Sequence, residues 1–232
     1  MIPLYHDFAD ETVLVFGGGS VGRRKARRFR REAEVIVVSP SFHDGFDELA
    51  GGGVDAETGD ATPSDRGGTL ERVREAPDPE AVREWVARTE PALVVAATDD
   101  AAVNAAAEAA ARERGLLINR TDEQGGRDAG SVVVPATVRD DPVTVAISTG
   151  GNSPALARHL RERVEAELEG AGTMAELTGE LRAELKADGV PPTERREAVR
   201  AVVRAPEVWK ALQEGTANGR QEADRVVRAT RE

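Results

Sequence analysis

An apolar strand that runs straight into spaced glycines leaves few folds open, and the segment from Thr12 to Lys25 has that form. Val13, Leu14, Val15 and Phe16 are followed at once by Gly17-x-Gly19-x-x-Gly22 and then by a basic, helix-forming segment. The order is strand, tight turn, helix N-terminus. In that context the glycine spacing reads as a dinucleotide-binding fingerprint. Gly17 suits the turn, Gly19 lets backbone approach a pyrophosphate, and Gly22 lets helix and strand pack closely. The helix start adds N–H groups and a positive dipole end for the phosphates.

The pattern continues as alternating strands and helices. Strands are expected at Val13–Phe16, Val35–Val38, Thr69–Val73, Leu93–Ala97 and Leu116–Asn119, with helices over 20–32, 79–89 and 100–114. This alternation predicts a doubly wound parallel α/β sheet of Rossmann type. Ala81, Val82, Trp85 and Val86 share one helix face, and Gly115 stands where the third helix must stop. After Asn119 the pattern changes. Ser131–Val138 and Val143–Thr149 read as two strands around the turn Arg139-Asp140-Asp141-Pro142. Ser153 and Pro154 then mark a helix start, and helices fill the remainder, with Pro206 interrupting them.

The expected organisation is a dinucleotide-binding domain over 1–119, a β dimerisation segment over 120–151 and a helical domain over 152–232. A lone two-stranded hairpin is unstable in water, so the β segment calls for a partner, most simply a second subunit.

Composition narrows the chemistry. The chain has no cysteine, which excludes disulfides, thiolate metal sites and cysteine nucleophiles. Three scattered histidines, His6, His43 and His159, do not suggest a metal site. The net charge of −11 argues against nucleic-acid binding. No apolar run reaches the ~20 residues of a membrane span, and no signal peptide opens the chain. A cytoplasmic protein without membrane partners is expected. Lys25, Lys186 and Lys210 are the only lysines. Acid excess with scarce lysine fits a halophilic cytoplasm, although a GC-rich genome favours the same residues. The seven acids between Asp44 and Asp65 read as a solvated loop.

Several positions are candidates for chemistry. Dinucleotide sites usually place an acidic residue at the end of the second strand to hold the ribose. Here that place holds Ser39, Pro40 and Ser41, so the choice between NAD and NADP stays open at this position. Seven cations lie among the nine residues 23–31. Arg23 and Arg24 oppose the dipole of the helix they start, which makes sense beside an anion. In open α/β sheets ligands bind beyond the carboxyl ends of strands. Asn119 and Asp122 follow the fifth strand there, and Asp122 is placed to act as a base or to cap a turn. Thr98-Asp99-Asp100 follows the fourth strand, where it caps the next helix and borders the cofactor. The loop Thr149-Gly150-Gly151-Asn152-Ser153 feeds a helix N-terminus, a second anion site or a hinge.

Three stretches together resemble one family: Val13 to Ala26, Ala96 to Asp100 with Asn119 to Asp122, and Ser148 to Arg158. The third is the most distinctive. The chain is similar to the precorrin-2 dehydrogenase/sirohydrochlorin ferrochelatase family, the dehydrogenase module of siroheme synthase. The resemblance implies NAD-dependent oxidation of precorrin-2 to sirohydrochlorin, and in some members insertion of Fe(II) to give siroheme. It implies a homodimer paired through the β segment. It matches Asp122 to the general base, and Ser20, Val21, Pro40 and Ser41 to cofactor contacts. The substrate's eight carboxylates would suit the arginine-rich segment and the 149–153 loop. Thr149 stands where some relatives have serine. The 232 residues leave no room for the methyltransferase domain fused in certain relatives, so uroporphyrinogen methylation is not expected. The alternative is a non-catalytic nucleotide-sensing module, which would need the glycine turn but neither Asp122 nor the 148–158 signature.

Overall fold

The computed structural model describes residues 3–50, 68–122 and 130–231. The acidic segment 44–65, expected as a solvated loop, is helical over Phe46–Ala50, where Phe46 is buried; its residues 51–65, like 123–129, lie outside those described. Two compact units form, Met1–Val134 and Pro135–Glu232.

The first unit is a parallel five-stranded sheet in the order β3-β2-β1-β4-β5. Its strands are β1 (Thr12–Phe16), β2 (Glu34–Ser39), β3 (Leu70–Arg74), β4 (Leu93–Ala96) and β5 (Leu117–Arg120). The helices are α1 (Ser20–Phe29), α2 (Phe46–Ala50), α3 (Pro79–Thr89) and α4 (Ala101–Glu113). All five expected strands form. Side chains of a strand alternate between faces, and here both faces are covered. Leu14, Phe16, Val94 and Ala96 meet Val82 and Val86 of α3 and the alanines of α4. Val13, Val15, Val35 and Val37 meet Ala26 and Phe29 of α1 and Phe46 of α2.

Local chemistry sets the helix ends. Asp78 caps α3 by accepting from the amides of Glu80 at 3.0 Å and Ala81 at 2.9 Å. Asp100 caps α4, taking the amide of Ala102 at 2.8 Å, as the sequence indicates. Gly115 takes a left-handed φ of 69° just past α4. The expected helix over 20–32 ends at Phe29, and Arg30 closes its last turn on Ala26 O at 2.9 Å.

The expected strand over Ser131–Val138 is two separate pieces. Ser131 bridges Ile118 in parallel, and the Val132 amide donates to Ile118 O at 2.8 Å, so this piece follows β5. Pro135 offers no N–H and ends that pairing. The antiparallel hairpin begins after it, as β6 (Ala136–Asp140) and β7 (Val143–Ile147).

The second unit joins this hairpin to α5 (Pro154–Glu167), α6 (Ala171–Ala187), α7 (Pro192–Arg204), α8 (Pro206–Glu214) and α9 (Thr216–Arg231). Its core is Met174, Leu177, Leu181 and Leu185 of α6 against Ala198 and Val202, Val208, and Ala223 and Val227. Arg220 of α9 reaches Glu184 of α6, and that carboxylate holds the guanidinium pKa above its ordinary value. The hairpin finds support in its own chain. Helix α5 lies along β6, and the Gly172 amide at the start of α6 donates to Asp140 Oδ2 at 2.9 Å. A Cβ at Gly172 would overlap the Asp141 carbonyl oxygen. The case for a second subunit therefore cannot rest on an unsupported hairpin.

Candidate active site

The glycine turn has the geometry its residues suggest. Gly17 adopts a φ of 118°, which side chains rarely tolerate, and its Cβ would overlap Ala97 O. A Cβ on Gly22 would overlap Gly17 O, so strand and helix meet there backbone to backbone. Gly19 is different, because a Cβ there would meet nothing within 4 Å. Among the described residues no packing requirement keeps that position bare. It is the N-cap of α1 and brings no side chain to the first-turn amides. As first-turn amides, those of Ser20, Val21 and Gly22 have no acceptor within the helix, which is what a pyrophosphate would need. The turn therefore fits a dinucleotide.

The end of β2 borders this turn. Ser39 is 6% exposed and its hydroxyl donates to Ser41 O at 2.8 Å, which fixes the loop. Pro40 and Ser41 are exposed. Arg23 turns aside onto Gly45 O at 3.5 Å and toward Glu48 at 3.7 Å. Arg24 remains at the exposed surface of the first turn.

A polar network spans the ends of β4 and β5. The Asp122 carboxylate accepts from Arg120 Nε at 3.1 Å, Arg120 Nη2 at 2.6 Å and Asn104 Nδ2 at 3.0 Å. Arg120 also donates to Glu108 Oε2 at 2.8 Å, and Glu108 takes Arg112 at 2.6 Å. The Arg120 side chain is only 11% exposed and that of Asp122 is 29% exposed. The guanidinium holds the Asp122 carboxyl below the usual carboxylate value of 3.8, with a smaller contribution from Asn104; partial burial opposes them.

Contacts link this carboxylate to the glycine turn. Gly17 lies against Ala97, Ala97 leads into Thr98, and Thr98 binds Asn104, which binds Asp122. The Thr98 hydroxyl lies 2.8 Å from Asn104 Oδ1 and 3.0 Å from Asp100 O. Asn119 is 4% exposed, and its amide donates to Val132 O at 2.7 Å. Among the described residues its Oδ1 has no hydrogen-bond partner.

Sequence reasoning singled out Asp122 but missed Asn104, and it gave Arg120 and Glu108 no role. A signal existed for Asn104. It lies on the apolar face of α4, beside Val103 and Ala107, where a polar side chain must find a partner.

The loop before α5 belongs to the second unit. Gly150 and Gly151 have φ of 65° and 86°, which lets Asn152 N donate to Thr149 O at 3.1 Å. Thr149 Oγ1 donates to Ser153 O at 3.1 Å, and Ser153 Oγ caps the Leu156 amide at 3.2 Å. Gly150, Gly151 and Asn152 are exposed.

Two family models match the chain in sequence. Residues 4–136 match the family described as "Putative NAD(P)-binding", and residues 140–167 match the sirohaem biosynthesis protein central family. The chain is 29% identical to precorrin-2 dehydrogenase of Methanosarcina barkeri, over 97% of this chain and 93% of that one. It is 36% identical to siroheme synthase of Methylococcus capsulatus and 33% to that of Stutzerimonas stutzeri, over 97% of this chain in both cases. It spans only 42% and 43% of those two proteins. The solved structure of SirC, a precorrin-2 dehydrogenase, superposes with a TM-score of 0.68 at 20% identity, covering 97% of this chain and 98% of SirC. It thus shares the fold. With the glycine turn, the parallel sheet and matches running through both units, the chain belongs to the NAD(P)-binding family, among relatives that include precorrin-2 dehydrogenase and the siroheme synthases.

Proposed function

We propose that this protein oxidises precorrin-2 to sirohydrochlorin with NAD, and that Asp122 is the general base. The observation that carries the proposal is the Asp122 carboxylate, ionised and doubly restrained, linked through Asn104, Thr98 and Ala97 to the glycine turn. NAD, when bound, supplies the hydride acceptor. Oxidation removes two hydrogens from the macrocycle, one as hydride and one as a proton, and Asp122 takes the proton. Gly17, Gly19, Ser20, Val21 and Gly22 would hold the pyrophosphate, and Thr98 would border the cofactor. Ser39 shapes the β2 loop rather than reaching a ribose, which leaves Pro40 and Ser41 to meet it.

Arg120 favours the charged form of the carboxylate. The same pairing weakens it as a base, so the proton must pass to an oxygen already receiving hydrogen bonds. Asp122 Oδ2 takes two of those bonds and Oδ1 takes one, so Oδ1 keeps acceptor capacity for the proton, because a carboxylate offers about four lone-pair sites.

The 149–153 loop, with exposed glycines and a helix N-terminus behind it, suits the carboxylates of the substrate. Its residues, with the β6–β7 segment, form the part that a homodimer would assemble around. Support for a dimer comes from α5, which buries none of its residues and leaves Leu156 47% exposed. A nucleotide-sensing module has no use for the segment 140–167 that matches the sirohaem biosynthesis central family.

The test is an anaerobic assay with precorrin-2 and either NAD or NADP. Asp122→Asn should keep NAD binding and lose at least ~100-fold in kcat. Turnover near the wild-type rate in that variant would reject Asp122 as the base. Adding Fe(II) or Co(II) to the product then reads metal insertion separately.

A further inference from the structure

We propose that Asn104 is a positioning residue for the oxidation, fixing the Asp122 carboxylate relative to the Thr98 turn. The inference rests on the dehydrogenase reading above. Asn104 is 1% exposed, on the face of α4 that packs into the core. A primary amide buried there costs free energy unless its polar atoms are bonded. All of them are. Asn104 Oδ1 accepts from the Thr98 amide at 3.2 Å and lies 2.8 Å from Thr98 Oγ1. Asn104 Nδ2 donates to Thr98 O at 2.9 Å and to Asp122 Oδ2 at 3.0 Å. Two donors and two lone pairs are the whole capacity of an amide.

The orientation is forced. Turned over, the amide would set its oxygen against the Thr98 carbonyl and the Asp122 carboxylate, two acceptors. Three of the four bonds hold the loop after β4, and those three would meet the needs of an ordinary structural asparagine. The fourth crosses to a carboxylate 18 residues on, at the end of the neighbouring strand.

The groups facing Asp122 come from two elements. Arg120 approaches from β5, backed by Glu108 and Arg112 of α4. Asn104 approaches from α4 and is the uncharged partner. Arg120 alone would let the carboxylate swing with a long, flexible side chain. Asn104 ties it to a helix whose N-terminus is itself capped by Asp100. One amide therefore sets the distance between the cofactor-side turn and the base.

The experiment compares Asn104→Ala and Asn104→Asp with the wild type. Alanine removes the donor in a helix already rich in alanine. Aspartate keeps the size of the side chain and guards against loss of packing in the first variant. Carbon-13 NMR of labelled aspartate carboxyls, with the Asp122 signal identified by Asp122→Asn, follows the titration directly. Losing a donor to the charged form should raise the Asp122 midpoint by about one pH unit in Asn104→Ala, and further in Asn104→Asp, where a second carboxylate adds repulsion. The acid limb of kcat should rise with it. An Asp122 midpoint unchanged in Asn104→Ala would overturn the inference. A midpoint that moves while the kcat limb stays in place supports the hold of Asn104 on Asp122 and counts against Asp122 as the base. The two ideas thus fail separately.

Discussion

At the scale of single residues, the fold keeps one carboxylate charged. The folded pKa of Asp122 lies below its ordinary value, so its stabilising contribution is present above that value and fades as pH falls through the folded pKa. Asp122→Asn should cost about 1 kcal/mol at pH 7, after allowance for solvent screening of a partly exposed pair. Urea unfolding at pH 7 and again at a pH low enough to protonate the folded Asp122 would show that gap and then its closure. The position of Asp122 was legible because it follows a strand that ends at the ligand-binding side of a parallel sheet. Its restraints were not. Arg120 is two residues away in sequence, but its bidentate grip depends on backbone direction at the end of β5. Asn104 reads as one polar residue in an alanine-rich helix until the Thr98 turn is folded against it.

At the scale of elements, the glycines divide by what would object to a side chain. Gly22→Ala sets a methyl group against the backbone of Gly17 and should lower stability by about 1–3 kcal/mol, measured by thermal or urea unfolding. Gly19→Ala meets open space, so the melting temperature should stay near wild type. NAD affinity, read by calorimetry, should still fall by about tenfold or more, because the methyl occupies the approach of the pyrophosphate. Equal losses of stability in the two variants would contradict this division. The β/α alternation was legible because strands buried on both faces are continuous apolar runs. Residues 131–134 misled by the same rule. Three valines look like strand wherever they lie, and only tertiary pairing to Ile118 separates them from the hairpin beyond Pro135.

At the scale of the molecule, the sheet unit carries the glycine turn and Asp122, and the helical unit carries the exposed glycine loop and α5. Leu156, Leu160, Val164 and Leu168 recur every four residues, which foretells one apolar stripe. Within the chain none of them is buried, unlike Met174, Leu177, Leu181 and Leu185 of α6. The repeat was legible, but not which stripe would find its cover inside the chain. A homodimer covering the α5 stripe predicts that Leu156→Asp shifts the mass seen by light scattering toward the monomer, while unfolding of the sheet unit stays as it was. A monomeric wild type would remove that role from α5.

The contact between Gly172 and the Asp140–Asp141 turn has a mechanical meaning. Hairpin tips are ordinarily the loosest part of a β-ribbon. Here the tip is moored to the first turn of α6 through the Gly172 amide and a backbone contact that leaves no room for a Cβ. Its amides should resist solvent hydrogen exchange, and proteases should find their first cut elsewhere. The ribbon is then a lever pinned at its far end, with its freedom at the root, where the chain enters at Pro135 and leaves toward the exposed glycines 150 and 151.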